Sequence, residues 1–155
     1  MLFRSLAREE LAKPSTAATE ERRTLPPAAL AREARPGDYV AILAYLPPTA
    51  ACEARLAKVR AAWARAAGCV TTVSFGPRYL HSTGQLHKGG PNTGLFVVLT
   101  ADPTDDIDIP EMKTTFGALE RAQARGDVRA LLAKGRRVCA VHLRDAADLS
   151  EILPG

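Results

Sequence analysis

His81, Ser82, Thr83, Gln85 and Lys88 fall within a span of eight residues, inside the polar, glycine-rich stretch that runs from Gly76 to Gly94. An imidazole, two hydroxyls, a carboxamide and an ammonium can together exchange protons and hydrogen-bond an oxygen-rich or anionic ligand. His81 supplies the imidazole of this set, the side-chain type that can both give and take a proton in acid–base catalysis. Spacing leaves two roles open for it: general acid–base work, or a surface imidazole that hydrogen-bonds its own loop. Ser82 and Thr83 are expected to cap a following short helix, with contact to ligand oxygens as the other role.

Other constellations exclude themselves by spacing. Lys88 with Gly89-Gly90 lacks the Gly-x-x-x-x-Gly-Lys-Ser/Thr order of a nucleotide phosphate loop. His81 and His87 have no cysteine or carboxylate at zinc-ligand spacing. Asp102, Asp105, Asp106 and Asp108 lack the turn glycine and closing glutamate of a calcium loop, and read as a solvated acidic loop. His142 alternates within an apolar run and reads as a packed or edge-exposed strand histidine. No nucleophile elbow, Cys-His dyad or pair of catalytic carboxylates can be assembled. The chain by itself therefore lacks a complete catalytic set, and no cofactor or metal is expected. Cys52, Cys69 and Cys139 are odd in number, lie in apolar patterns, and read as buried reduced thiols.

The elements around these residues follow from periodicity. Asp38 to Leu46, Cys69 to Phe75, Leu95 to Thr100 and Arg137 to Leu143 read as strands bounded by glycine or proline. Cys52, Leu56, Val59 and Trp63 share one helical face, which predicts a helix over 50–67 capped by Thr49 and ended by Gly68. A helix is expected from Thr114 or Thr115 to Gly126, then a second short one capped by Asp127 and ended by Gly135, and a last helix over Asp145 to Leu153. This alternation predicts an α/β fold: a mainly parallel sheet with helices on both faces. His81 then follows a strand, at the edge where such sheets bind ligands.

Length and composition fit one soluble domain, with 155 residues and a formal net charge of +4. The arginines are scattered along alanine-rich helices and aromatics are few, so neither the basic strip nor the stacking platform of a nucleic-acid binder is present. No apolar run suits a membrane span or a signal peptide, and a cytoplasmic location is expected. Residues 1–25 read as a polar leader, disordered or non-native, with room for a marginal helix over 6–12. Leu2-Phe3-Arg4-Ser5 also matches the translation of a common sequencing adapter, so the natural start is expected to be missing. Residues 26–155 form the expected domain.

The run His81-Ser82-Thr83-Gly84-Gln85-Leu86-His87-Lys88-Gly89-Gly90-Pro91 resembles the segment of bacterial glucose-6-phosphate isomerases in which His-Ser is followed by Gln-Leu and then Gly-Pro. Four further segments look closer still to the C-terminal isomerase part of fused transaldolase/glucose-6-phosphate isomerases. They are Arg35-Pro36-Gly37-Asp38-Tyr39-Val40, Gly76 to Gln85, Thr115-Phe116-Gly117 with Ala122 to Asp127, and Val141-His142-Leu143. The resemblance spans roughly residues 35–145 and implies the second of two sugar-isomerase (SIS) domains. It implies interconversion of glucose 6-phosphate and fructose 6-phosphate through ring opening and a cis-enediol, in glycolysis and gluconeogenesis. His81 takes the ring-opening role, and Ser82 and Gln85 are substrate-binding candidates. Lys113 is the nearest candidate for the family's C-terminal lysine, because Ala118 and Leu119 stand where that lysine's helix should correspond. The proton-abstracting carboxylate and the phosphate-binding loop would lie in upstream SIS and transaldolase parts, and a homodimer is implied. The other class of reading is a stand-alone, non-catalytic SIS-like module that binds a sugar phosphate.

Overall fold

Threonines cap the two long helices, Thr49 the first and Thr115 the second. In the computed structural model, which describes residues 23–155, a six-residue helix α1 (Pro27–Arg32) precedes strand β1 (Tyr39–Tyr45). Between them Asp38 accepts hydrogen bonds from the Arg35 backbone N–H and the Arg137 guanidinium, each at 2.8 Å. The Arg137 bond holds the Asp38 carboxyl below its usual range. Helix α2 (Ala50–Ala67) begins where Thr49 Oγ1 accepts from the Cys52 N–H at 3.2 Å. It ends at Gly68, whose φ of +65° is a left-handed cap. Strand β2 (Val70–Phe75) follows, then a 3-10 turn (Arg78–His81), helix α3 (Thr83–Gly89) and strand β3 (Gly94–Ala101). A two-residue hairpin, β4 (Asp108–Ile109) with β5 (Thr114–Thr115), leads into helix α4 (Phe116–Ala133) and strand β6 (Arg137–Leu143).

The main sheet has the order β2-β1-β3-β6 with every neighbouring pair parallel. Alternate residues of β1 supply two cores. Val40, Ile42 and Ala44 pack with α1 and α2, where Trp63 is fully buried and donates to the Ile152 carbonyl at 2.8 Å. Ala41, Leu43 and Tyr45 pack on the other face with Tyr79 and with Ala124, Val128, Leu131 and Leu132 of α4. The expected α/β architecture is therefore present. The β1–β2 and β3–β6 connections leave in opposite directions on opposite faces, so the sheet changes direction between β1 and β3, the usual ligand crevice of such folds.

Three expectations about elements need correction. Residues 116–133 form one helix rather than two, because Ala124, Val128 and Leu131 continue a single buried stripe through Gly126. Asp127 does not cap anything; its side chain is buried on that stripe. The tail over 145–153 forms only a 3-10 turn, Ser150–Ile152. There Asp145 and Asp148 accept from the backbone N–H groups two residues on, at 2.7 and 2.9 Å, and so divert the chain from helix. The acidic loop is solvated as expected, with Asp102, Asp105, Asp106 and Asp108 all exposed. Asp106 accepts from Thr115 Oγ1 at 2.6 Å and from the Gly117 N–H at 2.8 Å, which ties the hairpin to the start of α4. The helix expected over 6–12 and nearly all of the expected leader lie outside the described residues.

Candidate functional site

The His81 segment is held from beneath. Beyond β2, the Gly76 N–H donates to the Ala44 carbonyl at 2.9 Å, and the chain passes so close to the Tyr45 ring that a Cβ on Gly76 would lie 2.6 Å from it. Only glycine allows that approach. The 3-10 turn then drives Tyr79 into the core, 4% exposed. Its hydroxyl donates a short hydrogen bond to Asp127 Oδ2 and lies 3.1 Å from the Tyr45 hydroxyl. Burial and the neighbouring carboxylate push the Tyr79 phenol far above its ordinary pKa, so it remains a donor.

Asp127 has a second partner. Its Oδ1 lies 2.5 Å from Lys88 Nζ at the far end of α3. One carboxylate on α4 thus pins both the turn before α3 and the last turn of α3. Arg136 completes the fastening by donating to the Lys88 and Gly90 carbonyls at 3.1 and 2.6 Å. His87 is buried between Phe96, with ring centroids 5.0 Å apart, and Tyr39, whose hydroxyl is 2.9 Å from His87 Nδ1. Burial lowers the pKa of this imidazole, with Lys88 and Arg136 acting in the same direction and Asp127 opposing them. It is a neutral structural group at pH 7.

What this platform presents is His81, Ser82, Thr83 and Gln85, all exposed at the C-terminal edge of the sheet. Ser82 stands at the N-cap position of α3 but does not cap it. Its φ and ψ of −133° and −102° lie outside the extended region that capping needs, and its hydroxyl turns back to the Tyr79 carbonyl at 3.3 Å. Lys113 stands on another loop, exposed, at the β4–β5 turn with φ of +49°. That loop follows β3 and the His81 segment follows β2, with β1 between the two strands. The expected site residues therefore share one edge of the sheet but divide into a cluster of three and a separate lysine. His142 is edge-exposed as expected, and it has partners that spacing did not reveal: Thr100 Oγ1 at 3.0 Å from Nδ1 and Asp102 Oδ2 at 3.6 Å from Nε2.

Sequence reasoning missed the buried tier of Tyr45, Tyr79, His87 and Asp127. One signal was available: Asp127 lies three residues after Ala124 and four before Leu131, so a carboxylate occupies the apolar stripe of a helix. A charge there requires an internal partner.

No family model matches the chain, and no curated protein does. Among solved structures it is similar to the crystal structure of a hypothetical protein, TT0462, from Thermus thermophilus. The TM-score is 0.58 at 19% identity, over 98% of this chain and 39% of that one. The likeness establishes the fold and no more. The chain spans well under half the length of that structure.

Proposed function

We propose that this chain is the C-terminal SIS part of a sugar-phosphate aldose–ketose isomerase, acting on glucose 6-phosphate and fructose 6-phosphate. The observation that carries the reading is an exposed histidine on a rigidly fastened turn at the C-terminal edge of a parallel sheet. It is flanked by Ser82 and Gln85, as in the segment that it resembles. In this role protonated His81 gives its proton to the ring oxygen as the C1–O5 bond breaks. The imidazole, now neutral, takes up the proton of the C1 hydroxyl as the carbonyl forms. Ser82 and Gln85 hydrogen-bond the sugar hydroxyls, and Lys113 offers positive charge from the β4–β5 turn. Transfer between C2 and C1 needs a carboxylate from another part of the protein or a partner.

The test is a coupled assay for conversion of fructose 6-phosphate to glucose 6-phosphate, on this chain alone and joined to its upstream sequence. The folded chain is expected to be inactive alone and active when joined. His81→Ala in the joined protein is expected to slow turnover of the cyclic sugar about 10²-fold or more. Wild-type turnover in that variant refutes the role of His81. A folded, joined protein without activity favours the non-catalytic binding module instead.

A further inference from the structure

We infer that the cavity between α4 and the edge of the sheet is a binding site for a small monocarboxylate with an apolar body. It encloses about 330 Å³, at the lower end of the range of small-ligand pockets. Its floor is Val98 of β3, Ala140 of β6, and Ala124 with Val128 of α4. The space exists because alanines stand at facing positions of helix and strand, where larger side chains would close the layer.

The polar rim fixes the charge of the occupant. Asp102 stands between two groups, with Oδ1 2.6 Å from the Arg121 guanidinium and Oδ2 3.6 Å from His142 Nε2. Thr100 meets the other nitrogen of His142 at 3.0 Å. Asp102 thus commits the charge of Arg121. One turn along α4, Arg125 also lines the cavity and makes no hydrogen bond or ion pair among the described residues. A single uncommitted guanidinium above an apolar floor matches one carboxylate, which it can bind through two parallel hydrogen bonds. A dianionic phosphate would need a second free cation, and a sugar body would leave its hydroxyls against Val98 and Val128 without partners. The cavity lies beside β3 and β6, away from the segment that carries His81 after β2, so neither proposal depends on the other.

The experiment is a titration of the full chain with benzoate, followed by the methyl resonances of Val98, Ala124, Val128 and Ala140. Benzyl alcohol and inorganic phosphate are titrated in parallel. Benzoate is expected to shift these methyls saturably, benzyl alcohol to bind about tenfold or more weakly, and phosphate to leave them unmoved. Arg125→Gln changes an exposed side chain and is expected to weaken benzoate about tenfold or more, the value of a charge-assisted hydrogen bond. Filling the floor with Ala124→Leu is expected to abolish binding, and Ala140→Val serves where that variant does not fold. Absence of saturation overturns the inference. So does equal binding of benzyl alcohol, saturation of the same methyls by phosphate, or undiminished affinity in folded Arg125→Gln.

Discussion

Replacing Asp127 by alanine removes the one group that fastens both ends of the His81 segment to α4. Two losses add. The Tyr79 hydroxyl, in a side chain 4% exposed, loses a charged acceptor, worth about 1.5–3 kcal/mol for such a bond. Lys88 loses its ion pair, but its side chain is 31% exposed and its ammonium can turn to water. That contribution is therefore close to the surface value of about 1 kcal/mol and well below the 3–5 of a fully buried pair. The sum is about 3 kcal/mol, a large part of the stability of a domain this size. In urea, with m near 2 kcal/mol/M, the midpoint should fall by about 1.5 M with m unchanged. Asp127→Asn keeps an oxygen for Tyr79 and should cost about half as much. Amide exchange at Leu80 and Ser82, whose N–H groups bond within the 3-10 turn, should accelerate in Asp127→Ala more than exchange in β1. A loss below about 1 kcal/mol, or equal acceleration in the turn and in β1, would refute the clamp. The first result is what a surface helix cap would give.

Two further outcomes follow from the same packing. Burial holds the pKa of His87 below its ordinary value of 6.5, so the unfolded chain binds the proton first as pH falls. Stability should therefore decline as pH drops below about 6.5, down to the lowered pKa, and urea midpoints measured across that window in His87→Gln should show a shallower decline. Gly76→Ala would set a Cβ 2.6 Å from the ring of Tyr45, which is 2% exposed. Overpacking of about 1–3 kcal/mol is expected in the same urea assay. A cost under about 0.5 kcal/mol would show that the ring yields without strain.

The sequence by itself determined the α/β alternation, the four strands of the sheet and the bounds of α2. These depend on local signals: Thr49 before an apolar stripe, Gly68 after it, and strand runs closed by glycine and proline. It also indicated that His81, Ser82 and Gln85 would stand at a strand's C-terminal end, because position after a strand is a property of chain order. The tertiary structure decided what short-range rules could not. Asp127 after Gly126 has the local form of a helix stop and a new cap, yet the helix continues, since Tyr79 and Lys88 satisfy the carboxylate from a distant part of the chain. Asp145 and Asp148 carry the opposite lesson: each carboxylate accepts from the backbone N–H two residues on, and these local hydrogen bonds replace the expected helix although Leu149 and Ile152 are buried. The cavity beside α4 was invisible in sequence, because it arises where Ala124 and Ala140, sixteen residues apart, meet across two layers. Periodicity reports which face of an element is apolar, whereas pairing of buried charges and the filling of space depend on which faces meet.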